Sequence, residues 1–258
     1  MSVTPAPPAL AALLWDVDGT LAETELDGHR PAFNRAFAEL GLPWHWDEPT
    51  YLELLAISGG RERLRQFLAE AEGSPPAPAL VEALQAAKQR HYTALMAAGA
   101  LTLRPGVRQL LVEAAAAGLR QVIVTTSGRA AVTALLQALL PELAGGFAFL
   151  VCGEDVARKK PDPEAYQLAL ERLGLPPGAA LAIEDSGNGL AAARAAGLAT
   201  LVTRSRSSAA EPSQAFTSAS AVVDQLGAPD SRLRVLHGPA CPQGRVTLSY
   251  LQQLLGRP

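Results

Sequence analysis

Two carboxylates separated by a single residue, Asp16 and Asp18, stand where the apolar run Ala9–Trp15 stops, and Gly19 and Thr20 follow them. At the end of a buried strand, such a pair presents two acids to one pocket. One carboxylate can attack phosphorus and form an aspartyl phosphate, while the other protonates the departing oxygen and later activates water. A calcium loop or a helix cap is the plainer use of the same residues. The calcium loop of a helix-loop-helix needs Gly at its sixth position, whereas Gly19 is fourth from Asp16 and an apolar run precedes it.

Further polar clusters follow later apolar runs. Thr125-Thr126-Ser127 comes after Gln121–Val124 and offers hydroxyls and backbone N–H groups to phosphoryl oxygens, or a cap to a helix beginning near Arg129. Lys159-Lys160 comes after Phe147–Val151, and Pro161 and Pro163 hold the chain extended and then start a helix. The lysines therefore occupy a rigid corner, where one can neutralise a nucleophile and a phosphoryl group, or both can stand solvated. Glu184-Asp185 comes after Ala180–Ile183 and returns two acids to the same edge. Magnesium takes oxygen ligands and keeps several waters, so one carboxylate beside Asp16 plus a backbone carbonyl suffices. Asp185 or Ser186 can equally cap the next helix, and a cap is compatible with a metal.

These clusters need a scaffold that brings strand ends together. The apolar runs, with Ala199–Val202 and a short Ala221–Val223, alternate with helical patterns. Pro105 opens Gly106–Ala117, stopped by Gly118, and Pro163 opens Glu164–Leu173, stopped by Gly174. The alternation predicts an α/β fold, a Rossmann-like parallel sheet with its chemistry at the carboxyl ends of the strands. Between residues 26 and 101 helical stretches follow one another: His29–Leu40, Glu48–Ala56, Arg61–Glu72 and Ala79–Ala97, with a Gly/Pro breaker at Gly73–Pro78. This reads as a helical cap domain of residues 26–101 inserted into a core of 1–25 and 102–258, placed to act as a lid. Residues 204–220 read as loops and Val246–Leu255 as a terminal helix, while 228–245, rich in Gly and Pro, receives no role.

A chain of 258 residues, 48% hydrophobic, can bury a full core. Its net charge of −3, from 22 basic and 25 acidic residues, gives no basic excess for nucleic acid or an anionic membrane, which leaves a small soluble ligand as the expected partner. No apolar run approaches the roughly 18–20 residues of a bilayer span. Residues 1–8 read as a lead-in, without the basic stretch and apolar core of a secretory signal. Cys152 and Cys241 are too few and too far apart for a disulfide framework, so a reducing, cytoplasmic setting is expected, as is a monomer. His45, His91 and His237 lack metal-ligand spacing. Trp44 and Trp46 either line the substrate face of the cap or build its interior, the commoner use.

Taken in order, the four clusters resemble the four motifs of the haloacid dehalogenase-like superfamily of phosphotransferases, over nearly the whole chain. The resemblance implies Asp16 as nucleophile, Asp18 as general acid and base, and Thr125 and Lys160 as phosphoryl ligands, with Lys160 chosen over Lys159 because it stands immediately before proline. It also implies Mg2+ held by Asp16, Asp185, the Asp18 backbone carbonyl and, through water, Glu184. Leu21–Glu25, Trp44–Glu48 and Ser58–Arg63 look like the CbbY-like branch, which implies a phosphorylated sugar substrate, xylulose-1,5-bisphosphate in particular, whose hydrolysis removes an inhibitor of a carbon-fixing carboxylase. The expected substrate contacts are Glu25, His29, Ser58, Gly59, Gly60, Arg61, Arg63, Thr126 and Ser127. Arg61 or Arg63 can clamp a second phosphate where Gly59 and Gly60 leave room, or pair with Glu62 in solvent. Glu25 and His29 lie at the hinge, to contact sugar or steady Asp18. Phosphoglycolate phosphatase, a sugar phosphomutase and a catalytically silent sugar-phosphate-binding protein are the competing readings; loss of Asp16, Asp18, Lys160 or Asp185 would favour the last, and all four are present.

Overall fold

The computed structural model describes residues 9–255, so the lead-in expected over residues 1–8 lies outside it. The chain runs β1 (Ala12–Trp15), a single π-turn (Glu25–His29), α1 (Arg30–Glu39), α2 (Glu48–Leu54), α3 (Gly60–Glu72) and α4 (Pro78–Ala97). It continues through α5 (Val107–Ala116), β2 (Arg120–Val124), α6 (Arg129–Leu139), β3 (Phe147–Val151), α7 (Glu164–Leu173) and β4 (Ala180–Glu184). The last elements are α8 (Gly187–Ala195), β5 (Ala199–Thr203), β6 (Ala221–Val223), β7 (Val235–His237) and α9 (Leu248–Leu255).

All four residues of β1 are buried, as a parallel strand covered on both faces requires. Their side chains alternate between two hydrophobic clusters, Leu13 and Trp15 in one, Ala12 and Leu14 in the other. The first cluster collects Val107 and Leu111 from α5, Leu135 from α6 and Leu251 and Leu254 from α9. The second collects Tyr166 and Ala169 from α7 and Ala192 and Ala193 from α8. Helices thus cover both faces of one sheet, in strand order β3-β2-β1-β4-β5-β6-β7. Every neighbouring pair is parallel except β6 and β7. This is the Rossmann-like α/β core expected from the alternating runs. The stretch given no role supplies β7, an antiparallel edge strand of three residues, too short to show the alternation that marks a strand.

Among the described residues, Glu25 to Ala97 contains helices and no strand. Its interior is aromatic: Trp46, 1% exposed, lies with its ring centroid 4.8 Å from Phe33, 5.0 Å from Phe37 and 5.1 Å from Phe67. Asn34 fixes the Trp46 backbone from both sides, its amide donating to the carbonyl and its oxygen accepting from the N–H, each at 2.8 Å. Trp44 packs at the edge of the same cluster, so both tryptophans build the interior of these helices. Helix α4 serves two cores, giving Val81, Leu84 and Ala87 to the aromatic cluster and Tyr92, Leu95 and Met96 to the sheet. The linkers on either side of the helical segment pair through a bridge between Ala22 and Leu103, extended where Arg104 N–H donates to Leu21 O at 2.8 Å. Among the described residues no helix is long and apolar enough to cross a membrane.

Truncating Trp46 removes the ring on which Phe33, Phe37 and Phe67 meet. Trp46→Ala should therefore lower unfolding free energy by about 3–5 kcal/mol, measured from the denaturant midpoint; an unchanged midpoint would show that the aromatic cluster adds nothing to stability.

Candidate active site

Strand β1 has β2 on one side and β4 on the other, so the winding of the sheet changes direction beside it, where open α/β sheets leave a crevice. Asp16 leaves β1 into that crevice. Lys160 Nζ reaches it from the β3–α7 loop, and its three protons go to Asp16 Oδ1 at 2.8 Å, Glu184 Oε1 at 2.6 Å and Val124 O at 2.8 Å. Tyr166, on α7, donates its hydroxyl to the same Glu184 Oε1 at 2.5 Å. Asp185 Oδ2 accepts from Ser205 Oγ at 2.6 Å. Glycine makes this crowding possible. A Cβ on Gly19, whose φ is +83°, would lie 2.1 Å from Asp185 Oδ2, and one on Gly189 2.0 Å from Glu184 Oε2.

Asp16, Glu184 and Asp185 are buried, and each offers an oxygen within 4.8 Å of the others. Burial pushes the Asp16 carboxyl up to about 7, and the Glu184 and Asp18 charges add to this against the opposing pull of Lys160. Asp185 is driven well above the usual carboxylate range by burial, Asp16 and Glu184. Burial also disfavours the Lys160 ammonium, yet its two carboxylate partners outweigh that and raise its pKa. Three carboxylates around one ammonium leave negative charge unanswered. An oxygen-only donor set with surplus negative charge fits a hard divalent cation.

Asp18 has a different surrounding. Its Oδ1 accepts from Thr24 Oγ1 at 2.5 Å and lies 2.9 Å from His29 Nε2, and its Oδ2 accepts from Ser127 Oγ at 2.5 Å. Burial works against this carboxylate, but His29, Ser127 and Thr24 prevail and hold its pKa well below the ordinary value. His29 Nδ1 in turn lies 2.9 Å from Lys88 Nζ of α4. Lysine donates there, which leaves the histidine proton on Nε2, facing Asp18. Burial lowers the Lys88 pKa to about 8. The π-turn closed by Arg30 N–H on Glu25 O places His29 in this chain, and Gly28 lets the turn press on Tyr92, whose ring stacks on His29 at 4.4 Å.

Two cavities meet at these groups. The inner one, 330 Å³, is walled by Asp16, Asp18, Lys160, Asp185 and Ser58, and the outer one, 650 Å³, by His29, Gly59, Gly60, Arg61, Lys88 and Ser127. Glu25, Arg63 and Thr126 line both. Arg63 is buried, with Nε on Leu54 O at 3.1 Å, Nη1 on Tyr51 Oη at 3.0 Å and Nη2 on Ile57 O at 3.2 Å, while Glu25 lies 3.8 Å away and accepts from Tyr51 Oη at 2.5 Å. Arg61 is exposed, and Glu62 pairs with Lys159 at 2.6 Å instead. Ser58 Oγ accepts from Asn188 Nδ2 at 3.3 Å across the two halves of the molecule. Thr125 lies at the end of β2, but its hydroxyl accepts from Ser127 N–H at 3.1 Å and it lines neither cavity.

Thr24, Lys88, Tyr166, Arg104 and Ser205 escaped the sequence reading. Lys88 left a signal, a lysine in register with Leu84, Tyr92 and Leu95 on the apolar stripe of α4. Arg104 and Ser205 left none, because their partners come from loops distant in sequence.

The model of the haloacid dehalogenase-like hydrolases matches residues 10–197. The plasmid-borne CbbY protein of Cupriavidus necator is 48% identical over 226 residues, which span 85% of this chain and 87% of that one. The crystal structure of CbbY from Rhodobacter sphaeroides in complex with phosphate superposes with a TM-score of 0.78 at 43% identity, covering 84% of this chain and 94% of that one. An Asp-to-Asn variant of the same protein, in complex with xylulose-1,5-bisphosphate, gives 0.79 at 42% identity, over 85% and 97% of the two chains. With its acidic pair, lysine and second acidic pair gathered at one sheet edge, the chain belongs to the haloacid dehalogenase-like hydrolases, on their CbbY-like branch, and is a phosphatase of that family.

Proposed function

We propose that the chain is a magnesium-dependent sugar-phosphate phosphatase that works through an aspartyl phosphate on Asp16, with xylulose-1,5-bisphosphate as its substrate. The observation that carries this is the Asp16 carboxylate, held by Lys160 among buried acids at the wall of a cavity that Arg63 connects to a second, larger one. One phosphate fits beside Asp16 and the other beyond Arg63, with Arg61 on the outer wall. The xylulose-1,5-bisphosphate complex of a CbbY protein 42% identical to this chain supports the choice of sugar. Helices within residues 26–101 act as the cap that selects it. The free thiols Cys152 and Cys241 accord with a cytoplasmic, reducing setting, in which the enzyme acts as a monomer.

In this reading Asp16 attacks phosphorus, the bond from phosphorus to the sugar oxygen breaks, and that oxygen takes its proton from Asp18. Lys160 neutralises the phosphoryl oxygens, with Thr126, Ser127 and the backbone after β2 as further donors and Thr125 holding their turn. Asp16, Asp185 and the Asp18 carbonyl, with Glu184 beside them, would hold magnesium, which would supply the remaining positive charge. Asp18 is strongly acidic by itself. A phosphate dianion beside it adds a like charge that raises its pKa, and His29 can pass it the Nε2 proton as Nδ1 takes one from Lys88, so that the imidazole stays neutral. In the second half Asp18 takes a proton from water, the water oxygen bonds to phosphorus, and Asp16 leaves as carboxylate with release of phosphate.

Phosphate release from xylulose-1,5-bisphosphate, phosphoglycolate and hexose phosphates tests the whole reading. The bisphosphate should give the highest kcat/KM and free phosphate rather than an isomer, and Asp16→Asn should release none while keeping its fold. Turnover by that variant, once deamidation is excluded, would sink the nucleophile assignment, and accumulation of an isomer would make the enzyme a mutase.

Lys88→Met removes the donor that fixes the His29 tautomer and leaves Asp16 untouched. It should lower kcat by about ten- to a hundredfold with a smaller change in KM; a selective rise in KM would place Lys88 in binding alone.

An unfolded Asp titrates near 3.8 and folded Asp16 at about 7. Between these values the folded chain holds a proton that the unfolded chain has lost, so metal-free stability falls as pH rises through the window. Magnesium needs the carboxylates without their protons. Its gain in Tm should therefore be larger at about pH 8 than at about pH 5.5, and equal gains would argue against a site built on Asp16 and Asp185.

A further inference from the structure

We propose that Ser205 and Arg104 are positioning residues that lock the Asp185 carboxylate against the Asp16–Gly19 loop and thereby set the metal affinity of the acidic cluster, an inference that rests on the phosphatase reading above. Neither touches the inner cavity, and neither belongs to the clusters by which the sequence is recognised.

Ser205 is 3% exposed and donates to Asp185 Oδ2 at 2.6 Å. The direction of its proton is fixed by its surroundings. Ser208 N–H donates to Ser205 Oγ at 3.0 Å, and Ser205 N–H donates back to Ser208 Oγ at the same distance. Ser207 Oγ at 2.9 Å and Ser208 Oγ at 3.2 Å also lie within reach of Ser205 Oγ, but each carries a proton of its own, so the hydroxyl proton goes to the nearer Asp185 carboxylate oxygen. The oxygen of Asp185 that it holds is also the one against which Gly19 packs without room for a Cβ. The carboxylate therefore sits directly against the backbone after Asp18, in the space a side chain at position 19 would fill.

Arg104 holds the two sides of this contact together. Nη1 donates to Gly19 O and to Thr203 O at 2.8 Å, and Nη2 donates to Arg204 O at 2.6 Å and Asp224 O at 2.8 Å. Nε lies 3.1 Å from Glu23 Oε1. All five N–H groups are thereby engaged, four on backbone carbonyls. Gly19 follows Asp18, Thr203 and Arg204 lead into Ser205, and Glu23 belongs to the first linker of the helical segment. One planar fork ties the nucleophile loop to the loop that aims Asp185, at the point where the second linker returns to the core. Lysine keeps the charge but lacks the fork.

The test is Mn2+ binding by the full-length chain, read from the paramagnetic resonance signal of free Mn2+, with Tm in EDTA measured beside it. Partners that orient metal ligands are worth about ten- to a hundredfold in affinity. Ser205→Ala should weaken Mn2+ binding by that factor with little change of Tm in EDTA, and the KM for sugar phosphate at saturating Mn2+ should stay near the wild-type value. Arg104→Lys should weaken binding as well, despite its charge. Wild-type Mn2+ affinity in Ser205→Ala overturns the proposal, whether or not Arg104→Lys folds; a lowered Tm with unchanged affinity in Arg104→Lys reduces Arg104 to a structural tie. A wild-type chain that binds no Mn2+ removes the metal-dependent reading itself, whereas wild-type binding unaltered in the variants removes only the positioning role.

Discussion

Three carboxylates buried around one ammonium are the constraint from which the rest of this molecule follows. Lys160 spends its protons on the ends of β1, β2 and β4, and so holds together three strands that carry candidate catalytic groups. Taking such charges out of water is expensive, and removing one partner of a buried pair leaves the other uncompensated. The surroundings are arranged accordingly: Tyr166 and Ser205 donate to the acids, and glycines stand wherever a side chain would press on a carboxylate. Even so, the negative charge exceeds what these donors neutralise. That surplus suits an oxygen-liganded cation at this edge of the sheet.

Asp16 and Asp18 are two residues apart and live in opposite environments. The first is pushed up in pKa by burial against the pull of Lys160; the second is pushed down by His29 and Thr24 near the hinge and Ser127 after β2, with Lys88 of α4 behind His29. Paired acids driven apart in this way are suited to different tasks in one reaction. The division is also spatial. Lys159 with Glu62, Asn188 with Ala56 and Ser58, and Arg206 with Asp27 join the two halves of the molecule around the cavities, so the hydrogen-bond partners of Asp18 depend on how those halves meet, while the Lys160 partner of Asp16 comes from the core.

Much of this was legible in the sequence, for identifiable reasons. A parallel strand buried on both faces ends in an abrupt change from apolar to polar, which marked Asp16, Thr125, Lys160 and Glu184 as neighbours at one edge. Helix α7 begins and ends where Pro163 and Gly174 put its limits. What escaped depends on contacts between segments far apart in the chain, as with Ser205 on Asp185 or Arg104 on Gly19. Local backbone competition hid another detail: Thr125 turns its hydroxyl to the N–H two residues on, which leaves Thr126 at the cavity wall. Strand β7 was invisible because three residues between glycines and prolines carry no period.

The bridge between Ala22 and Leu103 has a consequence for how the chain finds its fold. Strand β1 must pair with β2 across the whole helical segment, a contact of long range in sequence and slow to form by chance. The helical segment has its own aromatic cluster, formed from residues close in sequence, and once folded it delivers its two ends a hydrogen bond apart. To the core, the insert then behaves as a tight turn in place of a long loop. Closure entropy is met by the folding of the insert, and the central strand reaches its partner with little left to search.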